Sequence, residues 1–285
     1  MNPSITIVTA FFDIGRGNWT SDKGFSPHLE RTSNTYIQYF ENLSNLDNEM
    51  VIFTSSDLKP TIEKIREGKP TTVVAFDINN KFKNIKNKIN KIQKSDNFRN
   101  RLEHRQLKNP EYWSEDYVLV CNLKSYFVKK SIDLQLVSND MVAWIDFGYC
   151  RTPEVTMGLS QWCYPFNKNK VNFFTIKRGL KVKTINQVFN HMINNKVFII
   201  GGAIVATKEK WKVFYELVCR CQMETLKNNM IDDDQGIFIM CYYYNKKLIK
   251  LNFLGKNRWF DLFKVFGEND LITFSRRLKI FLLGK

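Results

Sequence analysis

Short β-branched or apolar runs alternate with segments of helical period along most of this chain. That alternation narrows the fold to an α/β sheet with helices packed on it. Residues 5–10 (Ile-Thr-Ile-Val-Thr-Ala) read as a buried first strand, followed by a polar turn that carries Gly15 and Gly17. Residues 33–46 place Tyr36, Ile37, Phe40 and Leu43 at helical spacing, so a helix is predicted there. Strands are predicted over 50–54 and 72–76, with a short helix over 60–67 between them. A helix over 114–131 precedes a strand over 141–149 that ends in the carboxylate of Asp146. Beyond it come a strand over 171–176 and an apolar run over 197–205 broken by Gly201 and Gly202. A helix over 208–227, another after Asp234 and a late strand over 247–253 complete the pattern. The expected architecture is a mostly parallel central sheet with helices on both faces.

Forty-four per cent apolar residues, with 23 Phe, 11 Tyr and 6 Trp, supply a large core and exclude a disordered or collagen-like chain. Nothing in the 285 residues resembles a Pro-, Gly- or Ser-rich linker, so one large domain is expected. The start lacks a basic segment followed by a cleavage site, and no apolar stretch approaches the ~18 residues of a spanning helix. The six cysteines form no Cys-x-x-Cys pair and are expected to be reduced thiols rather than zinc ligands. The expected location is cytoplasmic, peripheral on the inner face of the cytoplasmic membrane.

The net charge of +15 points to a polyanionic partner, although abundant Lys and Asn are also what AT-rich codons give. Ten basic and two acidic residues fall in 81–108, where Phe82, Ile85, Ile89 and Ile92 make a narrow apolar stripe. An amphipathic basic helix follows from that pattern, either merely solvated or facing an anionic surface. The tail 271–285 has Arg276, Arg277, Lys279 and Lys285, no acid, and a helical stripe of Leu271, Phe274, Leu278 and Phe281. Both segments are candidate contacts with an anionic membrane.

Two strings look like a protein kinase, His104-Arg105-Gln106 and Asp146-Phe147-Gly148. Kinase chemistry needs Asp at the position Gln106 occupies, and no phosphate loop accompanies it, so that class is excluded. Asp146 at the carboxyl end of a buried strand stands where open α/β sheets bind ligands. It either holds a divalent ion on a diphosphate or caps the following turn. Asp232, Asp233 and Asp234 cluster at a helix start, where they serve as caps or project one acid into a cleft as a general base.

Thr9-Ala10-Phe11-Phe12-Asp13-Ile14-Gly15-Arg16-Gly17 with Trp19 resembles the opening of the bacterial HtrL/YibB family. Arg31 with Tyr36 and Phe40, 51–54, Trp113 with Tyr117 and Lys124, 144–151, Gly201-Gly202 and 233–235 match in order. The resemblance covers about residues 5–260. It implies a GT-A-like fold and a glycosyltransferase, hexosyltransferase in type, working on surface polysaccharide such as capsule or lipopolysaccharide. A nucleotide-sugar donor (a UDP-sugar), a glycan or lipid-linked glycan acceptor and a divalent metal, Mn²⁺ or Mg²⁺, come with it. Transferred position by position, Thr9, Ala10, Phe11, Phe12 and Asp13 would meet base and ribose. Arg16 and Lys124 would lie near the diphosphate, and Arg31 would be a further cofactor-binding residue. Asp146 would hold the metal, and Gly201 and Gly202 would let the backbone approach the ligand. Asp234, with Asp233 as substitute and Asp232 as cap, would be the acceptor-side base of an inverting transfer. The nucleotide half would be 1–151, the acceptor half 152–270 and the tail 271–285. One departure stands out: Asp146-Phe-Gly148 replaces Asp-x-Asp, so a second metal carboxylate is missing. The competing class is a basic nucleic-acid-binding protein, but the aromatics lie in apolar runs and no recognition motif is visible, so no nucleic-acid partner is expected.

Overall fold

The computed structural model describes residues 4–267, and the tail 271–285 lies outside them. The first half holds β1 (Ile5–Phe11), α1 (Ser33–Ser44), β2 (Met50–Thr54), α2 (Lys59–Ile65) and β3 (Thr71–Ala75). Four helices of differing length follow before the centre of the chain: α3 (Ile78–Lys81), α4 (Lys83–Gln93), α5 (Asp96–Arg99) and α6 (Glu115–Asn122). Then come α7 (Lys124–Asp133), β4 (Met141–Ile145), β5 (Val171–Thr175), α8 (Ile185–Ile193) and β6 (Ile199–Thr207). The long α9 (Lys208–Lys227), α10 (Asp234–Tyr244), β7 (Ile249–Phe253) and α11 (Leu262–Val265) complete it.

The seven strands form one sheet in the order β3-β2-β1-β4-β6-β5-β7. All neighbours are parallel except β6, which runs against both β4 and β5. The mostly parallel, helix-flanked α/β sheet is the expected architecture. Its central strands are buried on both faces, which is why they read as continuous apolar runs. Along β1, Ile5, Ile7 and Phe11 join one core with Phe40, Ile62, Ile145 and Phe263. Val8 and Ala10, followed by Phe12, join the other with Phe127, Trp144, Trp211 and Phe238.

Four local departures from expectation matter. The basic segment is not one helix: α4 ends at Gln93, and the Ser95 hydroxyl accepts from Phe98 N–H to start α5. The helix expected over 114–131 breaks at Leu123. There the Asn122 amide donates to the carbonyls of Val118 and Asp232, while Gln222 donates to the Asn122 carbonyl. Those bonds substitute for continued helix and make Lys124 the first residue of a new one. Helix α8 was not expected, although Thr184 caps it and Ile185, Val188, Phe189 and Met192 carry its period. Gly201 and Gly202 do not interrupt their apolar run; they lie inside β6.

Candidate active site

The reversed β6 brings its first residues to the sheet edge where β1 and β4 end. Ile145 pairs with Ala203, and the Asp146 N–H donates to the Gly202 carbonyl at 2.9 Å. The N-terminus of α10 arrives at the same edge. A cavity of about 280 Å³ opens there, lined by Ala10, Phe11, Phe12, Asp13, Arg16, Arg31, Lys124, Asp146, Gly201, Gly202, Asp233 and Asp234. Residues far apart in the chain thus share one cleft at the carboxyl edge, where α/β sheets bind ligands. Thr9 does not line it: the side chain is fully buried on the α1 face of β1 with Ile7 and Phe11.

Lys124 organises the floor. Its ammonium lies 2.8 Å from Asp146 Oδ1 and 2.6 Å from Asp234 Oδ2, and donates to the Gly201 carbonyl at 2.9 Å. The side chain is only 8% exposed, so it is not an ordinary helix-surface lysine. Burial by itself lowers its pKa, but Asp146 and Asp234 more than reverse that and hold it above the usual lysine value. Lys124 is therefore committed to two carboxylates rather than free for a diphosphate.

The two acids differ. Asp146 is 38% exposed, and its Oδ1 also accepts from the Trp144 indole N–H at 2.7 Å, Trp144 lying two residues back on the same strand face. Its carbonyl, not its carboxylate, closes the following turn by accepting from Tyr149 N–H. Asp234 is 4% exposed, and burial pushes its pKa up while Lys124 pulls against that. A Cβ at Gly201 would stand 1.9 Å from Asp234 Oδ2, and one at Gly202 2.9 Å from the Tyr149 ring. The space these glycines leave is filled by the protein itself rather than left for a ligand. Gly201→Ala should therefore displace Asp234 and cost about 1–3 kcal/mol in urea unfolding. The helix cap is Asp233, whose carboxylate accepts from Gln235 N–H at 2.9 Å, not Asp232.

Behind the floor, Glu111 is buried with its carboxylate accepting from Asn195, and that burial raises its pKa to about 7. Burial and mutual repulsion push Asp232 and Asp233 up as well. Because the fold favours neutral Glu111, the stability it permits is complete below the unfolded value of 4.5 and is lost as pH climbs through about 7. Glu111→Gln should remove that slope and unfold later than the parent at pH 8, by roughly 3 kcal/mol; matched urea curves at pH 5 and 8 would check this.

The outer wall is cationic and aromatic. Arg16 donates to the Leu29 carbonyl through Nε and Nη2 and to the Tyr36 hydroxyl at 2.6 Å. Asp13 instead accepts from Gly15 N–H and the Ser33 hydroxyl and so shapes the turn. Arg151 lies 4.5 Å over the Phe260 ring, and both line the cavity with Trp259. Sequence reading gave no site role to Arg151, Trp144, Tyr149, Trp259 or Phe260. For Arg151 the signal was its place five residues after Asp146, at the end of a matched motif.

A family model described as a bacterial protein of unknown function, HtrL_YibB, matches residues 3–268. The chain belongs to the HtrL/YibB family. Protein HtrL of Escherichia coli strain K12 is 58% identical over 285 residues, covering 100% of both chains. Among solved structures, mouse xyloside xylosyltransferase 1 in its apo form is similar over 87% of this HtrL/YibB chain and 85% of its own, at 10% identity and a TM-score of 0.40.

Proposed function

We propose that this HtrL/YibB chain is a glycosyltransferase that moves a sugar from a nucleotide-sugar donor, a UDP-sugar, to a hydroxyl of a surface-polysaccharide glycan. The observation that carries the reading is one cleft combining aromatic walls, a cationic rim and a half-exposed carboxylate with an uncommitted oxygen. Base and ribose lie against the aromatic walls, the diphosphate against the rim, and the anomeric carbon over the floor.

Asp146 Oδ1 is taken by Trp144 and Lys124, which leaves Oδ2 to face the acceptor. Asp234 has an oxygen on Lys124 and both oxygens pressed against Gly201, so it positions Lys124. The geometry thus favours exchanging the roles the resemblance implies: Asp146 is the base and Asp234 its support. As the acceptor oxygen attacks, its bond to the anomeric carbon forms while the bond from that carbon to the diphosphate oxygen breaks. The hydroxyl proton passes to Asp146 Oδ2, and the electron pair leaves with the diphosphate. A single displacement of this kind inverts the anomeric centre.

The donor set does not fit a resident divalent ion. A cation already bridges Asp146 and Asp234, and among the described residues no group of three or more His, Cys, Asp or Glu could hold a metal. No described helix is long and apolar enough to cross a membrane. The lysines of α4 support a peripheral contact with an anionic leaflet, where a lipid-linked acceptor would lie.

Thermal shift with a panel of nucleotide sugars tests the reading. The donor should stabilise the fold by roughly 2.7 kcal/mol at a hundredfold excess over Kd. No shift with any nucleotide sugar, together with tight salt-sensitive binding of oligonucleotides, would replace it with the nucleic-acid-binding class.

A further inference from the structure

The cleft separates its charges. Its floor holds Asp146 and Asp234 around Lys124, and its rim holds Arg16, Arg31 and Arg151. The three guanidiniums are close enough to feel one another: the Arg151 pKa is lowered first by partial loss of water around an otherwise exposed side chain, then by Arg31, and also by Arg16. Among the described residues neither Arg31 nor Arg151 has a carboxylate partner. The nearby Asp13 is already held by Gly15 and Ser33.

Gathering like charges without a counter-ion costs free energy that an anion at the same place would return. The cluster is also pre-set. Arg16 is locked by Leu29 and Tyr36, Tyr36 is seated against Gly148, where a Cβ would come within 3.0 Å of its ring, and Arg151 rests on Phe260. Guanidinium forks match phosphate oxygens bidentately, and holding them in place beforehand removes ordering cost from binding.

We propose that this chain performs transfer without a divalent metal, with the donor diphosphate held by Arg16, Arg31 and Arg151 and Lys124 acting as the fixed cation of the floor. The inference rests on the glycosyltransferase reading and deepens it. When the anomeric bond breaks, its electron pair stays on the departing phosphate oxygen, and the added negative charge is met by the three guanidiniums that line the cleft. Asp146, with no metal to bind, keeps Oδ2 for the acceptor proton. Arg151 thereby gains a role that the first motif of the chain could not indicate, because it arrives on the turn after β4.

Calorimetric titration of the full chain with UDP, GDP and inorganic pyrophosphate, first in excess chelator and then with Mn²⁺, tests this. At least one nucleoside diphosphate, and pyrophosphate with it, should bind in chelator with a Kd that Mn²⁺ does not improve. The double variant Arg31→Gln/Arg151→Gln should weaken that binding by about tenfold or more. Its melting temperature should stay put, since Arg151 is exposed and Arg31 half-buried. Binding that appears only with Mn²⁺, or an unchanged Kd in the double variant, would overturn the metal-free cradle and leave the glycosyltransferase reading standing. Failure of all three probes in both conditions would remove that reading, and this inference with it.

Discussion

Asp146→Asn is expected to lower transfer turnover by about 10²–10⁴-fold while the chain stays folded and donor affinity changes little. The amide oxygen can still accept from Trp144 and Lys124, and the turn after β4 is closed by the backbone carbonyl, but the side chain can no longer take a proton. Asp234→Asn has a different signature. Each change removes one of the two charges that hold Lys124, but Asp234 is 4% exposed against 38% for Asp146, so its bond cannot be replaced by water and its loss should lower stability as well as rate. Single-turnover rates alongside urea curves for both variants separate the roles. If Asp234→Asn abolishes transfer without loss of stability and Asp146→Asn leaves it intact, the base is Asp234.

Lys124→Met should be the most destabilising single change in the cleft, at about 3–5 kcal/mol, because it leaves buried carboxylate charge without a partner. Asp234, already pushed up by burial, loses the ammonium that opposes the shift, so its folded-state pKa rises further. A raised carboxylate pKa leaves stability intact below the unfolded value and removes it as pH rises through the folded one. The deficit of Lys124→Met should therefore shrink on acidification and grow towards neutral pH. Combining it with Asp234→Asn should recover part of the loss at neutral pH. Chemical denaturation of the parent, single and double variants across that range measures all three points, and a single variant as stable as the parent would remove the argument.

Much of the sheet is legible because its central strands are short, β-branched and buried on both faces. The strand expected over 50–54 is β2, and the helix expected over 208–227 is α9. What misled is instructive. Gly201 and Gly202 look like an interruption, yet the strand continues through them because Asp234 and Tyr149 fill the missing volume. The stripe from Phe82 to Ile92 promised a long helix, but a serine hydroxyl at 95 offers a better start than continuation does. Helix α8 has its period in plain view, with Ile185, Val188, Phe189 and Met192 at helical spacing behind the Thr184 cap, so its signal is present in the sequence.

The cleft divides in the same way. Acids at a strand end and a helix start mark where chemistry is to be sought, and the family motifs gather most of the lining. No pattern along the chain, however, says that Lys124 reaches across three elements to two acids and a carbonyl. That depends on the helix break at Leu123, set by Asn122 bonding to Asp232, a residue much later in the sequence. The roles of Thr9, Asp232 and Asp233 were equally out of reach, since neighbouring residues at an element's end are sorted by tertiary packing.

The antiparallel insertion of β6 between β4 and β5 also dictates an order of events as the chain leaves the ribosome. Strands β1 to β4 can pair as soon as they emerge, but β4 then presents a bare apolar edge until residues 199–207 arrive. An open edge of that kind invites pairing with other nascent chains. Lys124 and Asp146 wait through the same interval without Gly201 and Asp234, which are synthesised only with β6 and α10. Closing the sheet and balancing the charges beneath the cleft are thus coupled steps, so slow or faulty docking of the later segment leaves a sticky intermediate rather than a folded but inactive one.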